Sequence, residues 1–271
     1  MLIVLVWLIN SNFGRELTTI NHGNSLLFAH KGISVYHPEN STRSFDACKT
    51  LGLNAIEADV TQIGDGNLVI FHDNNCNRML GIDTLVSDVD LGFFQDKLLK
   101  SKNPSDSLSV MTIDEFFQRY KYDFFIYLDI KTANYSMADS LIRKFETYNL
   151  YERCIIGDAN LLFLSYLKIK DERIVTALEG YGSGKENLYS IIPDRVLPDY
   201  FSSFLSQIDA DFITFLNKKG ILKRYIAYGV DKNNMVKAEE LGVQNIIMDY
   251  DSGMGQNHSI KEYATSLKDR K

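Results

Sequence analysis

Short apolar runs alternate with helix-patterned segments along almost the whole chain, and this alternation constrains the fold more than any other feature. Leu26-Leu27-Phe28-Ala29 reads as a buried strand. Helical spacing follows, with Phe45, Cys48 and Leu51 on one face, Asn40, Ser41 or Thr42 as candidate N-caps, and Gly52 as the stop. Strands are predicted at Ala55–Val60, Phe124–Ile130, Cys154–Ile156, Ile174–Leu178, Phe212–Phe215, Tyr225–Val230 and Ile246–Met248. A further strand-like run, Leu68–Phe71, follows a tight turn at Gly64-Asp65-Gly66. Helices are predicted at Ile113–Tyr120, Met137–Tyr148, Leu161–Ile169 and Asn234–Leu241. Residues 180–207 have no single reading. Right-handed crossovers between such strands make a parallel sheet. With the run at 68–71 set aside, eight strands remain, and eight βα units in 271 residues predict a (β/α)8 TIM barrel. A doubly wound open sheet has the same periodicity and is the alternative.

The expected organisation is an N-terminal segment over residues 1–25, a barrel over 26–258 and a polar tail over 259–271. Residues 73–110 carry few periodic signals, which predicts an irregular insertion or lid over the mouth of the barrel. The first nine residues, MLIVLVWLI, are all apolar, whereas a membrane-spanning helix needs roughly 17–25 such residues. A signal remnant, an anchor or a stray apolar N-terminus all fit the run, which has neither a clear basic start nor a clear cleavage site, and export or envelope association is slightly favoured over a cytoplasmic location.

Charge and cysteine content exclude other classes. The net charge is -6 and no basic block occurs, so a nucleic-acid partner is not expected. Cys48, Cys76 and Cys154 are odd in number and widely spaced, and they read as buried small hydrophobes rather than a disulfide or zinc framework.

Barrel active sites are built at the C-terminal ends of the strands. Here those ends are rich in ionisable residues: His30-Lys31 after the first strand, Glu57 and Asp59 on the second, His72-Asp73 after the run at 68–71, and Asp129 and Lys131 on the next barrel strand. Glu57 and Asp59, two apart, share one strand face, while Ile56, Ala58 and Val60 point into the apolar layer. Adjacent inward carboxylates repel, and a divalent cation relieves that repulsion. Three carboxylates suit a hard ion such as Mg²⁺ or Ca²⁺ rather than zinc. Imidazole as a side-chain type titrates near neutral pH, which makes His30 and His72 candidates for acid–base work. Lys31, Lys131 and Arg78 are candidate phosphate cations. A single carboxylate or histidine at a strand end is usually solvated or paired, and it is the set that carries weight. His22, His37 and His258 are weaker candidates, although His37 is expected in a loop facing the same mouth. The Gly-rich Gly180–Gly184 lacks the spacing of a nucleotide-binding loop and reads as a flexible loop.

The ordered set Ala29-His30-Lys31-Gly32, His37-Pro38-Glu39-Asn40-Ser41, Glu57-Ala58-Asp59-Val60, Asp65-Gly66 and His72-Asp73 resembles the glycerophosphodiester phosphodiesterase family. The likeness is dense over residues 27–73. It continues more loosely through Val110-Met111-Thr112, Leu128-Asp129-Ile130-Lys131, Ala227-Tyr228-Gly229-Val230-Asp231 and Ile246-Ile247-Met248-Asp249. The resemblance implies a TIM barrel that hydrolyses glycerophosphodiesters to sn-glycerol 3-phosphate and an alcohol with a divalent metal, Mg²⁺ or Ca²⁺. It also implies that Glu57, Asp59 and Asp129 are metal ligands, that His30 and His72 are the acid–base pair, and that Lys31 and Lys131 contact the phosphate. Lys31 stands where the family has Arg, Asp129 where most members have Glu, Tyr228 for Trp and Met111 for Pro, which bears on phosphate binding and on the alcohol pocket. Expected partners are a small glycerophosphodiester or lysolipid-like substrate, with membrane contact and oligomeric state left open. Two other readings compete. One is a phospholipase D- or C-like enzyme, or a hydrolase of surface glycerol-phosphate polymers, on the same site, with Leu91, Phe93 and Phe94 offering an apolar groove. The other is a non-catalytic binding module, against which the presence of both histidines and all three carboxylates argues.

Overall fold

A computed structural model describes residues 17–20, 25–103 and 106–250. The apolar run at residues 1–9, His22, His258 and the polar tail at 259–271 lie outside the described residues. Eight parallel strands close into a barrel: β1 (Leu27–Ala29), β2 (Ala55–Gln62), β4 (Phe125–Ile130), β5 (Cys154–Asp158), β6 (Val175–Leu178), β7 (Tyr200–Phe204), β8 (Tyr225–Val230) and β9 (Asn245–Met248). The ring shuts where β1 pairs with both β9 and β2. Strand β3 (Leu68–Ile70) lies outside it, antiparallel to the C-terminal end of β2. This closed ring excludes the open sheet.

The helices follow from caps and apolar faces. A reciprocal Ser41–Ser44 capping box starts α1 (Thr42–Thr50), so Ser41 is the N-cap among the three candidates. The short helices α2 (Asn77–Leu80) and α3 (Leu91–Gln95) lie in the 73–110 segment. Thr112 and Glu115 form a second capping box at α4 (Ile113–Tyr120). Asn134 caps α5 (Tyr135–Tyr148), and Asn160 caps α6 (Leu161–Lys170). Helix α7 (Asn187–Ile191) is short, and Asp209 caps α8 (Ala210–Lys218) ahead of α9 (Met235–Glu240).

One predicted strand is wrong. Phe212–Phe215 lies in α8, where Phe212 and Leu216 bury one face at i, i+4 spacing. The true strand of that unit is β7, inside the stretch left without a reading. Its Ser202 and Ser203 point to buried tyrosine hydroxyls, at 3.4 Å from Tyr127 and 2.6 Å from Tyr225. These serines mask the apolar pattern that would mark a strand.

Alternation on the strands divides the core in two. Ile56, Ala58, Val60, Ile126 and Leu128 face the helix layer. Phe28, Ala55, Tyr127, Ile155, Val175, Ala177 and Ile226 fill the barrel interior. Ile20 joins that inner set, and its backbone bonds the Tyr200 hydroxyl through both N–H and C=O. The 73–110 segment is less irregular than expected: Cys76, Met79, Val86, Phe94 and Leu99 pack with Val69 and Phe71 into a separate cluster against β3. All three cysteines are buried and unpaired.

Candidate functional site

The register of the β2–β4 ladder sets the centre of the site. Asp59 is paired directly with Asp129, and Glu57 lies two residues back on the same face of β2. One carboxylate oxygen from each of Glu57, Asp59 and Asp129 lies within 4.8 Å of the others. Glu57 and Asp59 are almost wholly buried. Glu57 Oε1 and Asp59 Oδ1 have no hydrogen-bond donor, which is costly for buried oxygens. Asp59 Oδ1 does lie 3.0 Å from Lys131 Nζ, at ion-pair distance but outside hydrogen-bond geometry. A divalent cation among these oxygens would complete both, and an all-oxygen donor set suits a hard ion.

Electrostatics follow from this crowding. Burial, and then the neighbouring Asp59 charge, push the Glu57 carboxyl up to about 8. Asp59 stays below the usual carboxylate range in spite of burial, because Lys131 and Lys31 stand beside it. Burial raises Asp129, against the pull of Lys131, whose Nζ donates to Asp129 Oδ2 at 2.6 Å.

The loop after β1 supplies the next shell. Lys31 and Asn40 both adopt positive φ, at 56° and 57°, a conformation that costs a side-chain-bearing residue of order 1 kcal/mol. The strain positions donors. The Lys31 backbone N–H donates to Glu57 Oε2 at 2.8 Å, and the Asn40 side chain donates to Asp59 Oδ2 at 2.6 Å. Lys31 Nζ sits 3.6 Å from Asp59. Asn40 therefore clamps Asp59 rather than capping a helix.

Both histidines face the cavity through rings held by carboxylates. Asp249, just past β9, sits 2.7 Å from His30 Nδ1, and Asp73 sits 2.8 Å from His72 Nδ1. A carboxylate at Nδ1 fixes the proton there and leaves Nε2 for exchange. Burial lowers the His30 imidazole, but the Asp249 hydrogen bond and the charge of Glu57 outweigh it and raise the ring to about 9.

Arg78 departs from expectation. Its guanidinium donates to Asp73 at 2.7 and 2.8 Å and to Glu39 at 2.7 and 2.6 Å, so it braces the rim instead of offering donors to a phosphate. His37 lines a separate groove beside α1 rather than the mouth. In the Gly-rich loop after β6, Tyr181 is fully buried and packs on Phe201 and Phe212.

These groups meet in a cavity of about 440 Å³ at the C-terminal end of the strands. His30, Lys31, Glu57, His72, Asp129 and Lys131 line one part of it. Glu179, Phe204, Tyr228 and Asp249 line the rest. Sequence reasoning did not select Asp249, Glu39 or Glu179 as site residues. Glu179 and Asp249 each directly follow a strand, so the strand-end rule applied to every strand finds both.

Residues 30–251 match the glycerophosphoryl diester phosphodiesterase family. The chain belongs to that family. Among curated family relatives, a glycerophosphodiester phosphodiesterase of Caldanaerobacter subterraneus is 30% identical over 142 residues, which are 50% of this chain and 58% of that protein. A Bacillus subtilis glycerophosphodiester phosphodiesterase is 26% identical over 137 residues, covering 46% of this chain and 47% of that protein. The chain thus spans about half the length of the curated relatives it matches. Among solved structures, an Oleispira antarctica phosphodiesterase in complex with the product sn-glycerol-3-phosphate superposes with a TM-score of 0.72 at 18% identity, over 90% of this chain and 96% of that one. A Thermotoga maritima glycerophosphodiester phosphodiesterase gives 0.67 at 19% identity, over 92% and 99%. At such identities the structural likeness establishes the shared barrel.

Proposed function

We propose that this chain is a divalent-cation-dependent phosphodiesterase that hydrolyses glycerophosphodiesters to sn-glycerol 3-phosphate and an alcohol. The observation that carries the reading is the convergence of three carboxylates, two carboxylate-held histidines and two lysines in one cavity. Family membership and the product named for the Oleispira antarctica neighbour support the substrate class.

Glu57, Asp59 and Asp129 would hold Mg²⁺ or Ca²⁺. A bound cation supplies Lewis-acid polarisation of a phosphoryl oxygen and lowers the pKa of a coordinated hydroxyl. Lys31 and Lys131 neutralise charge on the phosphate. His72 takes the proton of the glycerol 2-hydroxyl as that oxygen bonds to phosphorus. The P–O bond to the alcohol breaks, and His30, kept protonated by Asp249, donates a proton to the leaving oxygen. Water then opens the cyclic phosphate with the two rings in exchanged roles.

Release of glycerol 3-phosphate from glycerophosphocholine, with and without chelator, tests the reading. We expect turnover that chelation abolishes and Mg²⁺ or Ca²⁺ restores. Turnover indifferent to chelator overturns the metal assignment, and unchanged turnover in His72→Ala overturns the acid–base assignment.

A further inference from the structure

Helix α6 departs from the pattern of a barrel's outer layer. A helix that covers a barrel buries one face and shows polar residues on the other. In α6, Leu161-Leu162-Phe163-Leu164-Ser165-Tyr166-Leu167-Lys168-Ile169-Lys170, apolar side chains occur on every face. Phe163, Leu164 and Leu167 are buried in the core. Leu162, Tyr166 and Ile169, at i, i+4 and i+7, form a second stripe on the outer side. Leu162 is 74% exposed and Ile169 43%. Tyr135, the first residue of α5 and likewise exposed, widens the stripe, its ring centre 4.7 Å from that of Tyr166. Lys170 closes one end, with its ammonium 5.3 Å from the Tyr166 ring centre. Aliphatic side chains flanked by tyrosines and a marginal lysine suit the boundary between lipid tails and anionic headgroups.

The course of the chain supplies an independent pointer. The Thr18 N–H donates to Asp199 at 3.0 Å, and Asp199 pairs with Lys168 of α6 at 2.8 Å. The N-terminal part of the chain therefore joins the barrel beside α6. Ahead of it come seven mostly polar residues, 10–16, and the wholly apolar run 1–9. Seven extended residues reach at most about 25 Å, against about 15 Å for the length of α6. The run and the stripe are thus within reach of one bilayer.

We infer that the outer face of α6 docks on a phospholipid bilayer and lies flat in its headgroup boundary, beside the apolar N-terminal run. Ten residues are too few to cross a membrane, so the helix rests on it. A single weak anchor gives marginal membrane binding, whereas two together hold. The contact uses the side wall of the barrel and not the end that carries the cavity, so it stands apart from the phosphodiesterase reading.

The test measures partition of the full chain onto vesicles of phosphatidylcholine and phosphatidylglycerol in equal parts, by co-sedimentation. Trp7, the single tryptophan, lies in the apolar run and reports its entry into lipid by a blue shift of emission. The wild type should sediment with the vesicles. Leu162→Asp and Ile169→Asp, both at exposed positions, should each lower the partition coefficient by about tenfold, as expected when one aliphatic side chain no longer leaves water. Val35→Asp, also exposed but across the ring from α6, should leave it unchanged. Absence of wild-type binding, or an equal loss in Val35→Asp, overturns the inference. A Trp7 blue shift with binding indifferent to both α6 variants overturns it too, because the contact then belongs to the N-terminal run alone. Wild-type dimers in sedimentation equilibrium that Leu162→Asp dissociates would give the face to a second copy of the chain and overturn it as well.

Discussion

His30 and Asp249 form the pair whose protonation most directly links structure to pH. The imidazole is raised from 6.5 to about 9, so its contribution to stability is complete below pH 6.5 and is lost as pH rises through about 9. The ring is more than a third exposed, so solvent screening keeps that contribution under about 1 kcal/mol. An NMR titration should place the His30 midpoint near 9 in the wild type and lower in Asp249→Asn, and the stability gap between the two proteins should close above that pH. A midpoint that does not move would show that Asp249 is not the cause. Asn40 offers a second test at this scale. Its loss strips Asp59 Oδ2 of a 2.6 Å donor. Asn40→Ala should weaken Mg²⁺ binding by about 10–100-fold, read by calorimetry, because groups that orient metal ligands typically contribute that much.

Among the larger elements, the 73–110 segment and the β1–α1 loop are joined by one side chain. Arg78, on α2, bridges Glu39 from the loop and Asp73 next to His72. Asp73 in turn holds the His72 ring. Arg78→Ala should therefore act on the chemistry through His72 rather than on the fold. The separate cluster of Cys76, Met79 and Phe94 remains to anchor the segment. Under the proposed acid–base role of His72, kcat/KM is expected to fall by about tenfold or more, in line with the cost of misplacing such a group. Thermal stability should change little, and Arg78→Lys should restore activity only in part, since an ammonium cannot span two carboxylates as a fork does. Wild-type kinetics in the Ala variant would leave the brace without a role.

For the molecule as a whole, the end of the barrel opposite the cavity carries stability instead of chemistry. Lys168 on α6 and Asp199 before β7 are fully buried and paired at 2.8 Å. Lys168 Nζ also donates to the carbonyls of Glu172 and Ile174, while Asp199 accepts from the N–H groups of Thr18 and Thr176. The cluster ties the segment at 17–20, α6 and two strands to one point. Lys168→Met should cost about 3–5 kcal/mol in denaturant unfolding, because it strands a buried carboxylate. Turnover per folded molecule should be unchanged well below the melting temperature, since the pair is remote from the mouth. A cost under about 1 kcal/mol would mean that water reaches Asp199.

Local pattern alone was enough to place His30, Lys31, Glu57, Asp59, His72, Asp129 and Lys131 at strand ends, because side-chain alternation and the strand-end rule act within a few residues. The same locality explains the errors. In β7 two adjacent serines, Ser202 toward the Tyr127 hydroxyl in the barrel interior and Ser203 toward the Tyr225 hydroxyl in the helix layer, interrupt the apolar run, whereas the apolar face of α8 imitates a strand. Arg78 has the chemistry to bind phosphate, and only the packed rim shows its donors taken by Glu39 and Asp73. Asp249 meets His30 across 219 residues, and Asp59 meets Asp129 only through ladder register. Such meetings depend on ring closure, in which each strand's neighbours are fixed by the packing of all eight. Short-range periodicity encodes which face of a strand is buried, but not which distant strand lies beside it.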